Sequence, residues 1–336
     1  MSIVQNMHKQ GGVTNEAGRP NAGIDVSKQH LDVCWGAESL RVDNQASGWE
    51  GLIAKLQAAG VDLVVVEATG GYERGAVCAL QEAGLAVARV NPRQARDFAK
   101  SMGTLAKTDQ VDARSLRAFA DVLSRHQERD KFITAPPNPQ REQLAALMVR
   151  RRQLIDMRVA ETNRLEQATK KTAQSIRGVI KYLDRQLRTI DNDIDNHLDR
   201  HFESQRDLLD TVTGVGPVTI LTLIAILPEL GRYSRRQICK LVGVAPLAND
   251  SGPRKGSRHI WGGRAPVRSV LYMSTIAAIT HNPAIRAFYQ RLIAAGKPKK
   301  VAIVAAMRKL LTILNAMMRD RAVWDAARHV QTGKMA

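Results

Sequence analysis

The chain has 336 residues, 44% hydrophobic and 24% charged, a globular mixture long enough for two domains and at least one sizeable core. Its 50 Lys and Arg outnumber 32 Asp and Glu, for a formal charge of +18. Counting along the chain, residues 1–130 hold 15 basic and 16 acidic side chains, residues 131–336 hold 35 and 16, and 231–309 holds 16 basic residues against the single acid Asp250. Such a segregated field draws polyanions, nucleic acid above all, although a basic surface kept for solubility would leave the same count. The longest apolar stretches, 218–227 and 301–318, are too short or are interrupted by Arg308 and Lys309, so no membrane span is expected. The N-terminus lacks a charged-then-apolar signal pattern. Cys34, Cys78 and Cys239 are odd in number and far apart. They fit neither a disulfide framework nor a zinc site and suggest the reduced thiols of a cytoplasmic protein.

Residues 1–20 are polar and contain glycine, which predicts a disordered lead-in. Ala22-Gly23-Ile24-Asp25-Val26 suits a buried strand, and 30–35 and 40–42 suit the second and third strands of a meander. Helical spacing follows over 47–59, with Ser47 as N-cap. Leu63-Val64-Val65-Val66-Glu67 is a β-branched strand that ends in a carboxylate and runs into Thr69-Gly70-Gly71. A helix at about 73–83, a strand over 86–90, and helices after Pro92 and Asp109 complete an α/β sheet domain over 21–134.

The run Ala135-Pro136-Pro137-Asn138-Pro139 is a stiff boundary. From 141 to 209 apolar residues recur at helical spacing with almost no Pro or Gly. This predicts a coiled coil over 140–207, two long helices turning near Gly178 or earlier, and two bundle helices or a dimerisation element fit it equally. A helical region over 208–330 opens with Thr213-Gly214-Val215-Gly216-Pro217. Its two glycines suit a helix-hairpin-helix turn that offers backbone N–H groups to phosphate, or a plain glycine-capped turn between helices.

Four carboxylates stand out. Asp25 sits inside an apolar strand, where an ionised side chain is costly unless it meets a cleft or a cation. Glu67 ends a second strand, and Asp109 and Asp112 share a helix face three residues apart. Four oxygen donors of this kind suit one or two Mg²⁺ ions that clamp the attacking and leaving oxygens of a phosphoryl transfer. The same residues also admit structural roles: Asp109 as an N-cap, Asp112 as a solvated first-turn acid, and Glu67 as the partner of an arginine.

Gly23-Ile24-Asp25-Val26-Ser27-Lys28, Val66-Glu67-Ala68-Thr69-Gly70-Gly71-Tyr72-Glu73, Asn91-Pro92, Phe98-Ala99-Lys100-Ser101 and Ala106-Lys107-Thr108-Asp109-Gln110-Val111-Asp112-Ala113 resemble, in order, the motifs of the DEDD transposases of the IS-one-ten family. Leu241-Val242-Gly243-Val244-Ala245-Pro246 and Asn249-Asp250-Ser251-Gly252-Pro253 resemble that family's C-terminal signature. The resemblance implies an RNase H-like (RuvC-like) N-terminal domain with Asp25, Glu67, Asp109 and Asp112 as its metal tetrad, a coiled coil, and a helical transposase domain. It further implies that Ser251 is a nucleophile joined covalently to DNA, that protomers assemble into a dimer or tetramer, and that a structured non-coding RNA from the element's own end guides the reaction. On its own context Ser251 reads as a turn serine, beside cations that can stabilise a phosphate. The candidate nucleic-acid contacts are Arg93, Arg96, Lys100 and Lys107, the turn glycines Gly214 and Gly216, and Arg235, Arg236, Arg254, Lys255, Arg258, Arg264 and Arg268. One departure from the family resemblance is Ile260-Trp261-Gly262-Gly263, where relatives commonly carry a Lys or Arg before the glycine pair. Trp261 there suits base stacking or gap filling. Two rivals need less: a junction nuclease using the acids without Ser251, and a non-catalytic nucleic-acid scaffold.

Overall fold

The computed structural model describes residues 18–104, 109–251 and 256–325. Most of the expected lead-in, and Lys107, Arg254 and Lys255, lie outside the described residues, as does the side chain of Asp109. The chain forms two compact units, meeting in sequence after Pro137.

The first unit is built on a five-stranded sheet. Strands β1 (Ala22–Val26), β2 (His30–Trp35) and β3 (Glu38–Asp43) form an antiparallel meander, and β4 (Val64–Glu67) and β5 (Val87–Val90) add in parallel, in the order β3-β2-β1-β4-β5. Alternation along the strands splits the side chains between two cores. Ile24, Val33, Val64 and Val66 pack with Leu52, Leu56, Val77 and Leu80 of helices α1 (Ala46–Ala58) and α2 (Arg74–Glu82). On the other face Leu63, Val65, Ala88 and Val90 pack with Ala95, Leu116 and Ala120 of α3 (Pro92–Ser101) and α4 (Asp109–Ser124). A sheet covered by helices on both faces requires strands that are apolar on both sides, which the run before Glu67 supplies.

Helix α1 starts one residue earlier than expected, and Ser47 is not its cap. Gln45 holds that position without a side-chain hydrogen bond. The entry is instead fixed by Asn44, which accepts from Trp49 Nε1 at 2.9 Å and donates to the carbonyls of Ser27 and Tyr72. Gly48 is required there, since a Cβ would lie 2.1 Å from the Asp43 carbonyl oxygen.

The second unit opens with α5 (Pro139–Glu166) and α6 (Lys170–His201). The pairs Arg151–Asp191 (2.6 Å) and Arg158–Asp184 (2.5 Å) show that the two run antiparallel. The turn falls at 167–169, where Thr169 caps α6, and Gly178 lies inside that helix. Helices α7 (Glu203–Asp210), α8 (Pro217–Ile226), α9 (Arg235–Val242), α10 (Ala265–His281), α11 (Pro283–Ala294) and α12 (Lys299–Asp320) complete the unit. Helix α12 is long and apolar enough to cross a membrane by length and composition. Half of its most apolar 18-residue stretch is buried in the core, with Ala306, Leu310, Leu311 and Leu314 wholly enclosed, which is the position of a central core helix.

Candidate active sites

Two places in the fold carry the residues singled out above, one in each unit. In the first unit the β1–β4 ladder pairs Ala22 with Val64, Gly23 with Val65 and Ile24 with Val66. The next residues along the two strands are Asp25 and Glu67. Adjacent positions of parallel neighbours share a face, so both half-buried carboxylates point away from the α1–α2 core, at the carboxyl ends of the strands.

Helix α4 lies on that face. Gly23 is the reason it can: a Cβ there would sit 2.1 Å from the Arg117 nitrogen and 2.4 Å from the Ala113 carbonyl oxygen. Asn21 donates to Asp121 (2.9 Å) and Ser124 (3.0 Å), further along α4. The helix therefore runs against the direction of β1. Its first turn, which carries Asp109 and the half-buried Asp112, comes alongside Asp25.

Among the described residues no three His, Cys, Asp or Glu side chains gather closely enough to hold a metal ion, and Asp109 is outside that search. The donor set fits a divalent cation by its chemistry, since it consists of carboxylate oxygens alone, the ligands of hard cations.

Two further carboxylates bear on this site and were not singled out by the sequence. Asp32 stands opposite Asp25 in the β1–β2 ladder, 6% exposed. Arg41 holds it through two bonds of 3.0 and 2.8 Å, which neutralises a charge that would otherwise repel Asp25. Glu73 is 3% exposed and closes the loop after Glu67. Its carboxylate accepts from Thr69 N (3.2 Å), Thr69 Oγ1 (3.3 Å) and Gly71 N (2.8 Å), and Arg89 lies at 3.6 Å. Burial pushes this carboxyl up, but the backbone N–H donors and the Arg89 guanidinium outweigh it and hold the group below the usual range. Gly70 (φ 78°) and Gly71 (φ 125°) give the backbone the turn that aims those donors. The available signal was an acid following a glycine pair, which is too short to specify a partner.

In the second unit, Ser251 is exposed near the tip of a closed loop. Gly243 ends α9 in the left-handed region (φ 79°), and Gly263 (φ 72°) sits against it, so close that a Cβ on Gly263 would lie 2.3 Å from the Gly243 nitrogen. Inside this neck Leu247 bridges His259, and Gly256 N donates to Asp250 Oδ1 at 3.2 Å. Ser257 Oγ and His259 Nε2 share a hydrogen bond of 2.7 Å.

Several expected nucleic-acid contacts have structural duties. Arg264 makes two bonds of 2.6 Å to Glu229 and one of 2.6 Å to the Ile226 carbonyl. Arg268 donates to the Val242 and Gly262 carbonyls, which helps close the loop neck. Gly214 (φ 99°) is packed against α10, where a Cβ would lie 2.7 Å from the Ala278 backbone. Gly216 is exposed at the start of α8 with open space around it. Arg93 and Lys100 are exposed on α3 and Arg96 is half-buried, while Arg235 and Arg236 are exposed on the first turn of α9. Arg258 and Trp261 are exposed on the loop.

A family model described as a transposase, of the IS110 DEDD type, matches residues 22–173. A second, described as the transposase IS116/IS110/IS902 family, matches residues 206–290. The pilin gene-inverting proteins of Moraxella lacunata and Moraxella bovis are each 29% identical, over 91% of this chain and 98% of their own length. The 43.6 kDa protein of insertion element IS110 from Streptomyces coelicolor is 26% identical over 42% of this chain and 35% of its own. With acids set side by side on a mixed sheet, a serine loop in a helical unit, and both family models matched in order, the chain belongs to the IS110 family of transposases.

Proposed function

We propose that the chain is a DNA recombinase that cleaves and rejoins strands through a phosphoserine at Ser251, with Asp25, Glu67, Asp109 and Asp112 holding Mg²⁺. The observation that carries this reading is the β1–β4 register: it sets Asp25 beside Glu67 under the acidic first turn of α4. Bound Mg²⁺ would supply charge neutralisation at the scissile phosphate. Ser251 Oγ forms a bond to phosphorus while one strand ester bond breaks, and the departing DNA oxygen takes up a proton. The phosphoester on serine keeps one ester linkage, so a DNA hydroxyl can displace the serine and restore a phosphodiester without an outside energy source.

The near full-length similarity to proteins named for inverting pilin genes supports rearrangement of DNA rather than simple hydrolysis. A structured RNA made from the element's own end would supply target choice by base pairing, while the basic second unit holds backbone shape. The exposed Val149, Met157, Val159, Val179 and Tyr182 on α5 and α6 support assembly into a dimer or tetramer, because apolar side chains there lack cover among the described residues.

The test is a denaturing gel of the full chain with flank-derived RNA and labelled DNA carrying the element's ends. A protein–DNA adduct is expected that needs Mg²⁺, disappears with a chelator, and is lost in both Ser251→Ala and Asp25→Ala. Cleavage that persists in Ser251→Ala without any adduct would overturn the serine mechanism in favour of a metal-and-water nuclease.

A further inference from the structure

The serine loop borders a feature that the reading above does not use. Within the second unit, helices α9, α11 and α12 and the loop segments 244–246 and 258–260 enclose a cavity of about 550 Å³. Its size is that of a small-ligand site. The wall has two kinds of surface. Arg235, Arg258, Lys300, Arg308 and Lys309 line it, and no carboxylate does. Among the described residues none of these five is ion-paired to an acid, and Arg308 lies near the buried Cys239 thiol. The remaining wall is apolar, formed chiefly by Phe288, Ile260, Val301 and Val304.

Five cations around one cavity repel one another, and this repulsion is relieved when an anion enters. The strain registers at Lys309: burial first, then the nearby Arg235 and Arg291, pushes its ammonium below the usual lysine value. A bare phosphate would answer the charge but leave the apolar wall unused. A planar base joined to a phosphate answers both, with Phe288 as a surface for the ring. Arg291 stands over the Phe288 ring, 5.3 Å from its centroid, and holds that platform in place.

We propose that this cavity takes a single unstacked nucleotide of a nucleic-acid strand, its phosphate among Arg235, Arg258, Lys300, Arg308 and Lys309 and its base against Phe288 and Ile260. It lies next to the serine loop, since Pro246, Arg258 and His259 belong to both. Drawing one nucleotide out of its stack there would hold the strand beside Ser251. The inference rests on the reading of the second unit as a nucleic-acid binder, and it does not need the phosphoserine step.

The test is calorimetric titration of the full chain, at low salt, with AMP, dAMP and inorganic phosphate. Both nucleotides are expected to bind at least about tenfold more tightly than phosphate, the return from stacking one base. Val301→Trp, which fills the cavity, and Arg258→Ala, on an exposed loop, should each weaken nucleotide binding about tenfold or more. Arg177→Ala, on exposed α6, should leave it unchanged. A preference for AMP points to RNA as the source of the nucleotide and a preference for dAMP to DNA. Equal affinity for phosphate and nucleotide would overturn the proposal, as would nucleotide binding untouched by both Val301→Trp and Arg258→Ala. The two readings fail separately: a chain that binds nucleotide as described but forms no adduct with DNA loses the recombinase mechanism and keeps the pocket.

Discussion

A carboxylate left 3% exposed survives at Glu73 because three donors and a guanidinium face it. It touches no substrate in the proposed reaction. It holds the six-residue return after Glu67. Glu73→Gln keeps the size and one acceptor but removes the charge. It should lower stability by about 1–3 kcal/mol, read as a lower unfolding midpoint, and should reduce adduct formation more than binding of DNA. The acid limb of the stability profile tests the same bond. The native carboxyl titrates below its unfolded value, so its contribution is complete above roughly pH 4.3, the ordinary glutamate value, and fades as pH falls through the lower native one. In Glu73→Gln that limb should flatten; an unchanged acid limb would show that the loop does not depend on the charge. Of the candidate site residues, Asp25 and Glu67 were legible because a carboxylate in or at the end of an apolar run contradicts its surroundings. Asp32 and Glu73 were not, because their partners, Arg41 and Arg89, are brought to them only by strand pairing and loop closure.

At the scale of elements, two close approaches shape the candidate sites. Helix α4 can settle on β1 only because residue 23 has no side chain. Gly23→Ala should force the helix away from the sheet at a cost of about 1–3 kcal/mol and abolish the adduct, since Asp112 moves with the helix. Retained activity in a folded Gly23→Ala protein would mean that α4 need not lie where it does. In the second unit the Gly243–Gly263 neck plays the equivalent part for Ser251. Gly263→Ala adds about 1–2 kcal/mol of left-handed strain to the overlap with Gly243. Hydrogen exchange of the intervening loop should become faster while the sheet of the first unit stays protected. Strand positions were readable from short apolar and β-branched runs, and the ends of β1, β2 and β4 lie within one residue of them. Helix starts were less so. Serine at 47 has the chemistry of a cap, but the entry of α1 is set by Asn44, through bonds to Ser27 and Tyr72 far along the chain, and by Gly48, through its close approach to Asp43.

At the scale of the whole molecule, charge makes the clearest demand. A chain of +18 whose second half carries nearly all the excess should bind DNA with a steep dependence on salt, about 0.9 in the logarithmic slope for each phosphate neutralised. Arg235→Ala with Arg236→Ala should make that slope shallower, whereas Arg264→Ala should chiefly lower the unfolding midpoint, because Glu229 then loses its partner. Sedimentation of Val159→Glu and Tyr182→Asp tests the exposed apolar side chains of α5 and α6. A shift towards monomer is expected, and an unchanged mass would remove them from any interface.

What the sequence determined by itself was whatever rests on local pattern or on sums: the break in the proline run, the apolar strand runs and helical periods, the segregated charge, and the acids and serine set in recognisable motifs. Tertiary structure alone decided the pairings. It placed Asp25 beside Glu67, gave Asp32 and Glu73 their arginines, turned Arg264 and Arg268 inward, packed Gly214 against α10, and gathered five cations around one apolar wall. The physical reason is common to all of these. A side chain's period and charge are properties of its neighbours in sequence, but a hydrogen bond, a close backbone approach or a cavity belongs to residues that only folding makes adjacent.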